Sequence, residues 1–259
     1  MSDASAYVID EIRRSAMDAS RRTGSLLAPN GLLARYTNPS ENTAYHLEYS
    51  YSLLGDVRGK SVLDYGCGAG ENSLLLAARG ACVTGIDISP DLVEVARRRL
   101  EINHLSAEFR VVSGYETGLP DSSMDVIFCI GILHHLNLEQ ARREVLRVVK
   151  PGGFIIVQEP VRDSRAYAFV RSLIPYVGDE ISKFERPLKK EEIEAFSEGL
   201  QCEVKRRFNL PIVALARIAS QRLFHPAVRA DRWILKTVPA LAHLATIEVR
   251  KLRRGKSLA

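Results

Sequence analysis

Residues 62–89 read VLDYGCGAGENSLLLAARGACVTGIDIS. The stretch opens on an apolar run, 61–65 (SVLDY), too short for a helix and bounded by glycine, so it predicts a strand. Gly66-Cys67-Gly68-Ala69-Gly70 then forms a turn into a helical pattern over 71–79. A second apolar run, 81–86 (ACVTGI), predicts another strand, ending at Asp87. Ser89 suits an N-cap and Pro90 a first helical residue, so a helix is expected from 90 to about 103, with Leu92, Val95, Ala96 and Leu100 on one face.

The same alternation continues downstream. Strands are expected at 109–112 and at 125–130 (DVIFCI). Asn137, with Gln140 three residues on, makes a capping box for a helix that runs to Lys150 and stops at Pro151-Gly152-Gly153. A fifth strand is expected at 154–157. Nearly all-apolar strands alternating with helices define a parallel sheet covered on both faces, an open α/β sandwich. Ligands bind such sheets outside the carboxyl ends of the strands.

The flanks are less regular. Val8, Ile9, Ile12, Ala16 and Ala19 have helical spacing within 4–20, and a second helix is expected over 41–54. After residue 160, a helix is expected at 189–199 and a strand at 202–208. Ile212, Leu215, Ala216, Ala219 and Leu223 mark another helix; a further one spans 233–244, interrupted near Pro239, and a last strand covers 246–252. The expected organisation is an N-terminal helical lid segment (1–58), a ligand-binding core (59–160), and a C-terminal part (161–259) that completes the sheet and adds helical caps. Tyr36, Tyr45 and His46 stand in the lid segment, either over the ligand or packing two helices.

The chemistry concentrates in the glycine turn. Glycines let a backbone approach a ligand that side chains would exclude. The spacing is GxGxG and not the GxGxxG of nicotinamide enzymes, and Asp64 stands just before it. A carboxylate there repels pyrophosphate and attracts an α-amino group. Asp87, ending the second strand, can accept both hydroxyls of a ribose.

Residues 61–160 resemble the class I S-adenosylmethionine-dependent methyltransferases, of the small-molecule, type 11-like kind. Three stretches carry the resemblance: 62–89, LPDSSMDVIFCIGILHHL (119–136) and VLRVVKPGGFIIVQEP (145–160). It implies a Rossmann-like fold with a mostly parallel seven-stranded sheet and S-adenosyl-L-methionine as cofactor. It also implies that Gly66, Cys67, Gly68 and Gly70 line the methionine part, that Asp64 faces the amino group, and that Asp87 and Ile88 lie at the ribose. Cys129, on the fourth strand, is expected beside the cofactor. Where the family commonly has Gly-Asp after strand three, this chain has Gly114-Tyr115-Glu116. Tyr115 either stacks on adenine or packs locally, and Glu116 is the alternative acid.

His134 and His135 follow strand four, and Glu159 closes strand five. All three are expected at the edge where an acceptor lies. Histidine titrates near neutral pH and can take a proton. Glu159 either binds or deprotonates the acceptor, or anchors a loop. The resemblance points to methylation, on oxygen, of a small-molecule, lipid-linked or glycan-linked acceptor. Strand four ends in Ile130-Gly131-Ile132-Leu133 and lacks the Asn/Asp-Pro-Pro-aromatic tetrapeptide of amino- and base-methylating enzymes. Methylation of protein or RNA, and a non-catalytic cofactor-binding regulator, are the alternative readings; a dehydrogenase is disfavoured by the glycine spacing and Asp64.

The whole chain has 259 residues, 46% hydrophobic and 26% charged, which excludes a disordered tail or a fibre. The net charge of +5 is unevenly placed: residues 1–160 carry −4 and residues 161–259 carry +9. The clusters Lys205-Arg206-Arg207 and Arg250-Lys251-x-Arg253-Arg254 are read as solvated faces or as phosphate contacts. No nucleic-acid motif accompanies them. Segments 211–224 and 226–244 mix apolar residues with Arg217, Arg222, Arg229, Arg232 and Lys236, as interfacial helices do, so peripheral membrane contact is the second expectation for this part. Cys67, Cys82, Cys129 and Cys202 form no CxxC pair, so no metal site is expected and a reducing compartment is. No basic start with an apolar core behind it is seen, so a cytoplasmic protein is expected, with contact at the inner membrane face. Nothing in the sequence sets the oligomeric state.

Overall fold

A computed structural model of the protein describes residues 26–162 and 186–256; the helix expected over 4–20 lies outside them. Seven strands form one sheet: β1 (Ser61–Tyr65), β2 (Cys82–Asp87), β3 (Glu108–Val111), β4 (Met124–Ile130), β5 (Val149–Pro160), β6 (Leu200–Phe208) and β7 (Ile247–Arg254). Their order is β3-β2-β1-β4-β5-β7-β6, and only β7 runs antiparallel to its neighbours. The order reverses between β1 and β4, so a crevice opens at the carboxyl ends of those strands.

The helices are α1 (Leu32–Thr37), α2 (His46–Ser52), α3 (Glu71–Ala78), α4 (Pro90–Ile102), α5 (Leu138–Val148), α6 (Lys190–Ser197), α7 (Pro211–Ala219) and α8 (Gln221–Thr237), with 3-10 turns at Leu133–His135 and Pro239–Leu244. Caps begin α4 and α5 as their sequences predict. Ser89 Oγ accepts the Leu92 N–H at 3.3 Å, and Asn137 Oδ1 accepts the Gln140 N–H at 3.1 Å. Burial alternates across the strands. Leu63, Ile127, Cys129, Ile155 and Val157 face α5 and α6, while Val62, Val126, Phe128, Ile156 and Val249 face the α1–α2 side.

Three expectations needed correction. The strand placed at 154–157 is longer, because β5 runs from Val149 through Pro151-Gly152-Gly153, with an irregularity where Met124 and Val126 of β4 pair with Val149 and Phe154. A Cβ on Gly153 would lie 2.8 Å from the Asp125 carbonyl oxygen, so glycine lets the two strands close there. The helix marked by 212–223 breaks at Ser220, whose extended backbone (φ −168°) ends α7 and caps α8. The basic clusters are not solvated faces. Arg207 and Arg250 both pair with the fully buried Glu248, and Arg250 also reaches Glu194 at 2.7 Å. Lys205 pairs with Glu194 at 2.8 Å, Arg253 pairs with Glu203, and Arg254 donates to the Leu146 carbonyl at 2.6 Å. These cations hold the sheet's last two strands to α6 and α5.

Gly70 has φ +80°, and a Cβ there would lie 2.8 Å from Ala96 Cβ and 2.9 Å from Ala96 Cα. The turn and α4 therefore meet backbone to backbone. Gly70→Ala is expected to destabilise the fold by at least about 2 kcal/mol, from clash and left-handed backbone together. Urea unfolding checks this; an unchanged midpoint would contradict the close approach.

Candidate active site

The glycine turn is fastened from behind. The N–H groups of Gly66 and Cys67 both donate to the Ile86 carbonyl, at 3.0 and 2.8 Å. Asp87 closes it: Oδ2 accepts the Gly68 N–H at 2.9 Å, and Oδ1 accepts the Ser89 N–H at 2.9 Å. Burial raises the Asp87 carboxyl above its usual range, against the pull of the Ser89, Gly68 and Ile88 N–H groups. Gly68 has φ +50°, and a Cβ on it would meet nothing within 4 Å, so its front is open.

Asp64, at the end of β1, is 1% exposed. Its Oδ2 accepts the Ser73 hydroxyl at 2.6 Å. Burial first, then the negative charges of Asp87 and Glu71, push its carboxyl up to about 7, although Ser73 opposes them. A buried carboxylate with one hydroxyl donor is short of positive charge, and a ligand's ammonium group supplies what is missing.

The second half of the site lies at the ends of β4 and β5. Glu159 is fully buried. Its Oε1 accepts the N–H groups of Ile132 and Leu133, at 2.9 and 2.7 Å, and its Oε2 lies 2.7 Å from His134 Nδ1. One carboxylate thus ties down the turn after β4 and orients the imidazole. A histidine that donates from Nδ1 to a carboxylate keeps a lone pair on Nε2. The His134 and His135 rings lie 4.1 Å apart, centroid to centroid. Both line a cavity of about 520 Å³ together with Tyr115, Asn137, Arg186 and Glu192.

The other expected residues fall in different places. The thiols of Cys67 and Cys129 are buried in the cores on either side of the sheet, and burial raises both above the usual thiol range. The Cys129 side chain, expected beside the cofactor, is core packing. Gly114 lies against Tyr65, whose hydroxyl donates to the Gly114 carbonyl. Tyr115 accepts the Asn137 N–H at 2.9 Å and packs on the core, which is the local-packing alternative; Glu116 is exposed. Ile88 is half-buried beside Asp87. Tyr36 stacks edge-on against Tyr51, with centroids 5.0 Å apart, in the core of the α1–α2 side. Tyr45 bonds His225 of α8 at 2.6 Å, and His46 packs against Phe208.

Sequence reading missed Ser73, although its place in the first turn of the helix after the glycine turn was a usable signal. It missed Arg186 and Glu192, paired at 2.7 Å on the cavity wall, and here no motif pointed to them. Among the described residues, no group of three or more His, Cys, Asp or Glu side chains could hold a metal ion.

Comparison with known proteins agrees with this geometry. Residues 63–157 match the family profile described as "Methyltransferase domain". Over 133 residues the chain is 35% identical to a protein named demethylmenaquinone methyltransferase of Tropheryma whipplei, covering 51% of this chain and 55% of that protein. Over 160 residues it is 32% identical to a protein named ubiquinone biosynthesis O-methyltransferase of Pseudomonas syringae pv. tomato, covering 58% and 67%. The match thus spans about half to two thirds of these relatives' length. Among solved structures, a geranyl diphosphate C-methyltransferase from Streptomyces coelicolor shares the fold, with a TM-score of 0.61 at 16% identity, over 96% of this chain and 98% of that one.

The fold and the glycine turn define a Rossmann-like, class I nucleoside-binding α/β protein. The chain belongs to the S-adenosylmethionine-dependent methyltransferases. The residues present fit that cofactor: an open glycine front, a buried carboxylate lacking a cation, and a second carboxylate at the turn's far end.

Proposed function

We propose that the protein methylates a hydroxyl oxygen on a small molecule with an apolar, lipid-type body, such as a phenolic or quinol-like ring. Lipid- or glycan-linked acceptors share that chemistry. The reading places it in the cytoplasm, with contact at the inner membrane face. Bound S-adenosylmethionine supplies an electrophilic methyl group on a sulfonium sulfur. The chain's own residues do the rest. Gly66–Gly70 line the methionine part, Asp64 holds its amino group, and Asp87 holds the ribose. His134 Nε2 would take the acceptor's hydroxyl proton as the methyl group passes from the sulfonium sulfur to the oxygen, the cofactor leaving as the neutral thioether S-adenosylhomocysteine. Glu159 holds Nδ1–H and so stabilises the imidazolium that forms.

The observation that carries this reading is the 2.7 Å contact between His134 and the fully buried Glu159, beside a cavity of about 520 Å³. An acceptor already anionic needs no such pair. The names of the curated relatives add support, since both concern quinones.

Labelled-methyl transfer tests the reading. The protein is incubated with S-adenosylmethionine carrying a radiolabelled methyl group and, in turn, a prenylated hydroquinone, a catechol, a glycan, a peptide mixture and total RNA. Label is expected in the solvent-extractable phenolic products, as an ether stable to mild base. Label only in peptide or RNA overturns the acceptor class. Cofactor binding with no transfer to any class supports the regulator reading instead.

A further inference from the structure

Most of the large apolar side chains exposed among the described residues sit on one hairpin. They are Ile212, Leu215 and Ile218 on α7, Leu223 and Trp233 on α8, and Val238 just beyond it. Trp233, the chain's single tryptophan, is 67% exposed. On α8, Leu223, Pro226, Ala230, Trp233 and Thr237 are all exposed, and at helical spacing they fall within an arc of about 80°. Arg222, Arg229 and Lys236, seven residues apart in turn, form a basic strip beside that arc. The two helices present their ridges on one side. Val213 and Val228 anchor them into a shared buried cluster on Ala44, and each ridge lies opposite its anchor.

The charge is one-signed. Residues 209–247 hold five Lys/Arg and one acid, Asp231. Asp231 is 1% exposed and accepts the N–H groups of Asn209 and Leu210, at 3.0 and 2.7 Å. It does not face the ridge. Arg207 and Arg250 are engaged inside the fold, whereas Arg217, Arg222, Arg229 and Lys236 of this hairpin are exposed. Behind it, Arg206, Arg232 and Lys236 line a groove of about 490 Å³. Arg206 lies over the Tyr49 and Phe208 rings and donates to the carbonyls of Glu41 and Thr43, and Asp231 lines the same groove.

We propose that this hairpin docks the protein on an anionic lipid bilayer, with the Leu223–Trp233 ridge in the interface and the basic strip on headgroup phosphates. An exposed tryptophan beside arginines is the chemistry of an interfacial helix, and the hairpin's one acid, Asp231, is buried away from the ridge. β6 runs parallel to β5, so the hairpin leaves the sheet at the same edge as His134 and Glu159. Docking therefore turns the acceptor site toward the membrane. The inference rests on the lipid-type acceptor proposed above.

Trp233 is also the probe. Vesicles of phosphatidylcholine containing about a quarter phosphatidylglycerol are compared with pure phosphatidylcholine, at low and high salt. Expected are a blue shift of Trp233 emission and co-sedimentation at least about tenfold stronger with the anionic lipid, both lost at high salt. Arg222→Glu with Arg229→Glu and Lys236→Glu should remove binding. Leu215→Ser with Ile218→Ser, at exposed positions, should weaken it while thermal melting is kept. Both variants should still methylate a short-chain, water-soluble hydroquinone at the parent rate, which separates failure of docking from failure of the acceptor reading. No anionic preference, binding untouched by either variant, or self-association that shields Trp233 without lipid would overturn the proposal.

Discussion

His134→Ala is expected to lower kcat by about 100- to 10,000-fold, with affinity for S-adenosylhomocysteine changed less than about twofold. The size follows from the role. A hydroxyl is a poor nucleophile while it keeps its proton, and the proposed base is His134 Nε2, with Nδ1 held 2.7 Å from Glu159. Glu159→Gln sharpens the test. A glutamine carbonyl can still accept the Ile132 and Leu133 N–H groups that the carboxylate accepts now. Its amide N–H then faces Nδ1, reverses the tautomer and puts a proton on Nε2. A kcat loss of about tenfold or more with unchanged melting is expected, because the positioning is lost and the anchor kept. If Glu159→Gln and His134→Ala both turn over at the parent rate, the pair is structural only.

The second large effect has opposite signs for stability and binding. Asp64 is buried, and its carboxyl is pushed up to about 7. Its folded value lies above its unfolded one, so the folded state holds this proton more tightly. The stability tied to that proton is full below about pH 4 and is lost as pH rises through about 7. Asp64→Asn removes this dependence while its carbonyl can still accept Ser73. The variant is expected to be more stable than the parent by on the order of 1–3 kcal/mol at about pH 8, a gain that vanishes toward pH 4. Its cofactor affinity should fall by at least about tenfold, since an amide does not offset an ammonium group. For the parent, affinity should rise roughly five- to tenfold from about pH 6 to about pH 7.5 as Asp64 ionises. Denaturant midpoints and calorimetric titrations across that range check both halves. A variant less stable at pH 8, or one that binds as the parent does, would contradict the assignment.

The core was legible because its signals are local. A glycine turn between apolar runs, and caps at Ser89 and Asn137, place strands and helices with little help from distant contacts. What failed depends on contacts far apart in sequence. The extension of β5 through Pro151-Gly152-Gly153 follows from the pairing of Val149 with Met124 of β4. The basic clusters looked solvated because Glu248, Glu194 and Glu203, which neutralise them, are recognisable as partners only once β6, β7 and α6 are in place. In the site, Asp64, Asp87 and the glycines were readable from spacing. The role of Glu159 was open between acceptor contact and loop anchor, and its bonds to Ile132, Leu133 and His134 make it an anchor that also holds the His134 ring. Strand alternation turns the Cys129 side chain into the core. The uneven charge, −4 before residue 161 and +9 after it, divides further in the fold. Among the described residues, Arg207 and Arg250 are internal, while the cations of α7 and α8 include the exposed Arg217, Arg222, Arg229 and Lys236.

Isothermal titration of the protein with S-adenosylhomocysteine, run at about pH 6 in two buffers of different ionisation enthalpy, tests the cofactor assignment most directly. Binding in the micromolar range is predicted, with heats that differ between the buffers because Asp64 releases a proton, and with loss of that difference in Asp64→Asn. Heats equal to dilution, or tighter binding of a nicotinamide dinucleotide, would contradict it.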